Sequence, residues 1–191
     1  MTSPRYPVTI ARAPLTARFE LVGAGSALVA VLAAAGLPVP ASPLSAASRA
    51  GGYRTAWCGP RRMIVTTDIA DGARLGSALR AALPIGIAVV VADMTGATAT
   101  FVLKGSGMDA VLAQGFAHDV SSLADKADRL MVTDAWGVVA ILERLDGGSA
   151  ITIDASFADY FEHMLCTAAG LPTASMPGVM RAPPPPIRTT G

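Results

Sequence analysis

Two glycine-rich turns have the spacing that could hold a cofactor. Gly23-Ala24-Gly25-Ser26-Ala27-Leu28 follows an alternating apolar stretch and opens an apolar run, as a dinucleotide fingerprint would. That fingerprint wants a third glycine where Leu28 stands, and an acid about twenty residues later where this chain is rich in Ala, Ser and Pro. Gly105-Ser106-Gly107-Met108-Asp109-Ala110 is a second near-match, with Asp125 and Asp128 downstream. There Asp109 would repel a pyrophosphate at the helix start. Both read as tight strand-to-helix turns rather than nucleotide sites.

The groups that could act as nucleophile, base or metal ligand are scattered. His118 precedes Asp119 in a loop, and His163 lies beside Glu162 on a polar helix flank. No Cys/His cluster has metal-ligand spacing, and there is no GxSxG elbow. Cys58 and Cys166 are far apart, form no CxxC and have no adjacent base, so both read as reduced thiols in a cytoplasmic protein. Asp93 and Asp119 read as solvated loop acids. Trp57 and Trp136 fall on expected strands, where tryptophan belongs to a core or an interface. No catalytic, cofactor-binding or metal-binding residue is assigned.

The elements around these residues are organised on Ile151–Gly170. Ile151 and Ile153 alternate with Thr152 and Asp154, the period of a half-buried strand. Ser156 reads as the N-cap of a helix, and Phe157, Phe161, Met164, Leu165 and Ala168 recur on one face until Gly170 and Pro172 end it. Upstream, strands are expected at 17–22, 53–58, 63–67 and 85–92, with helices at 26–36 and 71–83 and a loop at 37–48. Gly59-Pro60-Arg61-Arg62 should turn a hairpin, and the apolar run at 85–92 should be a buried central strand. This order is the split βαβ of a ferredoxin-like lobe. A related second lobe follows, with strands at 98–103, 130–133, 138–144 and 150–153 and a short helix at 108–113. The fold class is therefore α+β, as two ferredoxin-like lobes. The expected organisation is an extended arm at 1–16, lobes at 17–94 and 95–170, and a proline-rich tail at 171–191. The prolines suggest that neither end belongs to the core, and that the tail, with Pro183–Pro186 in polyproline II, lies along a partner.

With 52% hydrophobic residues and a mean hydropathy of +0.48, the chain is apolar, though much of the excess is alanine. A large buried interface would also fit. Seven arginines stand against one acid in residues 1–62, while 93–162 holds eleven acids against four basic groups. The arginines are scattered and carry no nucleic-acid motif, so they read as solvated faces or a protein interface. The uncharged run from Leu21 to Leu37 starts with two glycines and ends at prolines, so no membrane span or signal peptide is expected.

Three blocks, together spanning about residues 17–170, resemble the gamma subunit family of heterotetrameric sarcosine oxidase. Trp57-Cys58-Gly59-Pro60-Arg61-Arg62-Met63 is similar to that family's Trp-Leu-Gly-Pro-Asp-Glu-Trp turn, with the local charge reversed at Arg61 and Arg62. Asp93-Met94-Thr95 and the segment from Phe101 through Gly105, Gly115 and Asp119 resemble its Asp-x-Ser hairpin and glycine turns. Ala155-Ser156-Phe157-Ala158 resembles its C-terminal strand-to-helix join. The resemblance implies the aminomethyltransferase (T-protein) folate-binding fold. It also implies a small non-catalytic subunit of a flavoenzyme that oxidatively demethylates an N-methylated amino acid, as in sarcosine oxidase or N-methylglutamate dehydrogenase. The expected partners are large alpha and beta subunits and a small delta subunit, which would hold FAD, FMN, NAD, zinc and tetrahydrofolate. The alternative is a free-standing folate-binding or one-carbon transfer protein of the same fold.

Overall fold

A computed structural model describes residues 6–123 and 128–172. In chain order its elements are β1 (Thr9–Arg12), β2 (Thr16–Val22), α1 (Gly25–Ala34), β3 (Ala46–Arg49), β4 (Tyr53–Gly59), β5 (Arg62–Asp68) and α2 (Gly72–Ala81). They continue as β6 (Val90–Asp93), β7 (Thr98–Lys104), α3 (Met108–Leu112), β8 (Leu130–Ala135), β9 (Val138–Leu145), β10 (Gly148–Asp154) and α4 (Ala158–Ala169). The strands form two five-stranded antiparallel sheets, ordered β3-β4-β5-β2-β6 and β1-β7-β10-β9-β8.

Both sheets share one plan. In the first, β2, β4, β5 and β6 take the ferredoxin-like places one to four, and β3 is added outside the second. In the second sheet β7, β9 and β10 take places one to three, with β8 added outside the second. The fourth place is filled from the other end of the chain by β1, whose Thr9 and Arg12 pair with Lys104 and Phe101. The second lobe is thus a circularly permuted copy that borrows its last strand. This corrects the expectation that the N-terminal arm lies outside the core. Val8 is buried in the second core, and Pro7 and Pro14 flank the strand without interrupting it. An edge strand tolerates such neighbours because one row of its amides has no ladder partner.

Helices cover the outer face of each sheet. Leu28, Val31, Leu32, Leu75 and Leu79 of α1 and α2 pack on Phe19, Leu21, Met63 and Val65. In the second lobe Val111, Leu112, Phe161 and Leu165 of α3 and α4 pack on Phe101, Leu103, Leu142 and Ile151. Between the sheets a smaller cluster joins Ala46, Cys58 and Ile64 of one to Leu130 and Ile141 of the other. The layering is helix, sheet, sheet, helix.

Four further expectations are corrected. Residues 46–49, expected in a loop, form β3. Of the run expected as a buried central strand, only Val90–Asp93 is a strand, and it lies at the sheet's edge, paired with β2 alone. Gly86 at φ +80° bends the chain away from the sheet, leaving Ile85 fully exposed and Ile87 and Val90 more than half exposed. Trp136, expected on a strand, sits with Gly137 in the two-residue turn joining β8 to β9. Both have positive φ (49° and 77°), as a type I′ hairpin turn requires. Finally, the last helix is entered through Asp154 rather than Ser156: the Asp154 carboxylate accepts from the Ser156 amide at 2.8 Å. This sets α4 to begin at Ala158 and leaves Phe157, expected on the core face, 47% exposed. The tail beyond Pro172, expected as polyproline II, lies outside the described residues.

Candidate functional site

Alternation along β2 sends Ala17, Phe19 and Leu21 to the helices and Arg18 and Glu20 to the other face, which for Arg18 is covered by the second sheet. There Arg18 lines a cavity of about 30 Å³ with Arg54, Thr66, Ile141, Glu143 and Thr152, drawn from both sheets. Arg54 donates from Nε and Nη2 to Glu143 Oε1 at 3.2 and 2.9 Å, tying the sheets together. Arg62 closes a two-pronged pair with Glu20 at 2.8 and 3.2 Å. Thr100 and Thr152 hydroxyls share a 2.9 Å hydrogen bond. Burial pulls the Arg18 guanidinium below its ordinary pKa and Glu143 pulls it back up, so it stays charged. Burial also pushes the Cys58 thiol up to about 12. Cys58 is therefore protonated at neutral pH and a poor nucleophile. The site concentrates charge without pairing a nucleophile with a base. The sequence pattern gave no sign of it, because charged residues alternating with apolar ones read as a solvent face.

The glycine turns are filled by the chain itself. A Cβ at Gly25 would come within 3.1 Å of the Trp57 ring, and one at Gly23 within 3.1 Å of the Ala88 carbonyl oxygen. A Cβ at Gly105 would collide with the Pro7 carbonyl oxygen, and Gly107 donates its amide to that oxygen at 3.1 Å. The second turn is thus the seat of the N-terminal arm. Asp109 accepts from Arg144 Nη1 at 2.7 Å, while the same buried guanidinium reaches Ser149 Oγ and the Val120 carbonyl oxygen. His118 bonds Thr133 through Nδ1 at 2.6 Å, and His163 is exposed. Trp57 packs in the first core, and Trp136 stands edge-on to Phe116 and Phe161. Of the acids downstream of the second turn, Asp125 lies outside the described residues. Among the described residues no group of His, Cys, Asp and Glu could hold a metal.

Asp93, Asp119 and Asp154 repeat one device. Each carboxylate accepts the backbone amide two residues on, at 2.9, 2.9 and 2.8 Å, from Thr95, Ser121 and Ser156. Hydrogen bonds from the hydroxyls first, and from the amides second, hold all three below the ordinary carboxylate pKa of 3.8. A depressed folded-state pKa contributes stability that is present above 3.8 and lost as pH falls through the folded value. The expected result is a melting temperature insensitive to these groups near neutrality and declining below pH 3.8. Asp154→Asn should lower stability at pH 7 and flatten that acid decline, as read by circular dichroism across the range.

The fold class is α+β with two antiparallel sheets, the architecture of the aminomethyltransferase folate-binding fold. It is shared with a chain of heterotetrameric sarcosine oxidase from Corynebacterium sp. U-96, at a TM-score of 0.76 and 24% identity over 88% of this chain and 86% of that one. It is also shared with the glycine cleavage system aminomethyltransferase T of Bartonella henselae, at a TM-score of 0.61 and 14% identity over 85% of this chain. The match covers 46% of that aminomethyltransferase, so the chain spans about half of its length. No family model matches the sequence, and no curated protein does. No described helix is long and apolar enough to cross a membrane.

Proposed function

We propose that this chain is a small, non-catalytic subunit of a multisubunit sarcosine oxidase-type flavoenzyme that oxidatively demethylates an N-methylated amino acid. The observation that carries this reading is that Ile85 and Ile87, in the loop that leads into β6, and Val90, the first residue of that edge strand, are all more than half exposed. Val22, the cross-strand partner of Val90, is also exposed and adds to them. Scattered exposed apolar residues are ordinary, but three within six residues leading into a sheet's edge strand suit a docking surface. The fold shared almost end to end with one chain of a heterotetramer supports the same reading. On it, FAD, FMN, NAD, zinc and tetrahydrofolate belong to alpha, beta and delta partners, and the assembly is cytoplasmic.

The aminomethyltransferase likeness favours a second reading, a folate-binding protein acting alone. Among the described residues, a groove of about 450 Å³ beside Leu37, Arg49, Tyr53 and Arg74 is one place that could take folate. Arg74 there is already engaged by Asp71 at 2.8 Å and lies over the Tyr53 ring. The two readings differ in one experiment on the isolated full chain. A subunit should be colourless, zinc-free and silent in calorimetry against tetrahydrofolate. Micromolar folate binding by the lone chain would replace the first reading with the second.

A further inference from the structure

The two lobes supply an internal comparison. β2 and β7 hold the same place in their sheets and the same length, seven residues, and Phe19 and Leu21 in one core match Phe101 and Leu103 in the other. Each is flanked by an edge strand in the same register, with Leu21 facing Val91 as Leu103 faces Ile10. The final pair differs. In the second lobe Lys104 stands opposite Thr9, both exposed, and the Thr9 hydroxyl donates to the Lys104 carbonyl at 3.3 Å. In the first lobe the same corner holds Val22 opposite Val90, 40% and 60% exposed. The plan of the lobe thus works with a polar pair at this corner, and two exposed valines gain nothing from water. The charge beside them is unbalanced as well. Arg62, the register partner of Val22 on β5, is neutralised by Glu20 at 2.8 Å. Arg61 is one residue away, and its carbonyl accepts the Gly23 amide at 3.1 Å beside the end of β2. Its side chain is exposed and, among the described residues, makes no hydrogen bond or ion pair. The acid on β6, Asp93, stands at that strand's other end, opposite Phe19.

We propose that this corner, Val22 and Val90 with Arg61 at its rim, is the docking surface for a partner chain that presents a carboxylate beside apolar side chains. The inference rests on the subunit reading above and adds the chemistry of the contact. Covering the valines removes apolar surface from water, the main drive for association. It also brings the partner over Arg61. A basic surface there would repel the guanidinium, and a neutral one would strip it of water without return. A carboxylate matches its charge and accepts two parallel N–H bonds. One free guanidinium beside a valine pair offers no track for a phosphate backbone, so the partner is a protein and not a nucleic acid.

The test replaces the chain by variants in its own cells and purifies the complex. Arg61→Glu should keep the fold, checked by a thermal melt, and weaken retention of the larger chains at least ~10-fold. The same reversal at the matching corner of the second lobe, Lys104→Glu, should leave retention unchanged. Retention of the unaltered chain should fall as salt rises, and the Arg61→Glu chain should lose most of that dependence. Arg61→Lys should keep the partner and, with a zero-length carbodiimide, give a cross-link from its new amine to an aspartate or glutamate of a larger chain, read by mass spectrometry. An unaltered chain that brings down no larger chain overturns the subunit reading and this inference with it. A complex that forms but survives Arg61→Glu, suffers equally from Lys104→Glu, or cross-links only to a second copy of this chain overturns the docking chemistry alone.

Discussion

With Ile85, Ile87 and Val90 all replaced by aspartate, the chain should keep its fold and lose its partners. Ile85 makes no use of the core, and Ile87 and Val90 are more than half exposed, so each change should alter stability by no more than about 0.5 kcal/mol. In a complex the same positions would be covered. An aspartate trapped in an apolar contact costs about 2 kcal/mol or more, and three together should weaken retention at least ~100-fold. The measurement pairs a thermal melt of the lone chain with co-purification of the complex. If the triple variant is retained as well as the parent, this segment is not the docking surface.

Removing residues 1–13 should be the more damaging change to the fold itself. It deletes β1 and strips the outer edge of β7. The backbone hydrogen bonds donated by Tyr6 to Ala169, by Gly107 to Pro7 and by Ala13 to Thr100 go with it. Burial of Val8 is lost, worth about 1.5 kcal/mol or more, besides several backbone hydrogen bonds at about 1 kcal/mol each. The sum, about 5 kcal/mol, is comparable to the whole stability of many domains. The truncated chain should unfold at ordinary temperature or associate through the bared edge of β7, seen by circular dichroism and size-exclusion chromatography. A truncated monomer melting within about 2 °C of the parent would show that the borrowed strand adds little, since even 1 kcal/mol moves the midpoint by about 2–4 °C in a chain of this size.

The contrast between those two regions marks where sequence reasoning stops. Local signals served well: Gly59-Pro60 and Asp146-Gly147 mark their hairpins, and the ferredoxin-like order of the first lobe follows from turn residues and alternation. β1 was invisible because its partner lies far along the chain, Thr9 against Lys104, and because flanking prolines argue locally for an arm. The apolar run at 85–92 misled for a related reason. Its β-branched residues belong beside other apolar surface, but composition does not say whether that surface is in the same chain. Trp136 carried a readable clue in its Trp-Gly step between two alternating stretches, yet an aromatic residue at positive φ is rare enough to be passed over. The inter-sheet site is the hardest case. Alternation assigns Arg18 and Glu143 to a face, and only the packing of one sheet on the other turns that face into an interior.

The central claim, membership of a larger assembly, is tested most directly by purifying the untagged chain from its own cells and measuring the mass and absorbance of what elutes with it. The account predicts a species several times the 19.4 kDa of this chain, containing larger polypeptides and flavin absorbance. Recovery of the chain as a stable, colourless monomer with no flavoprotein attached would contradict it.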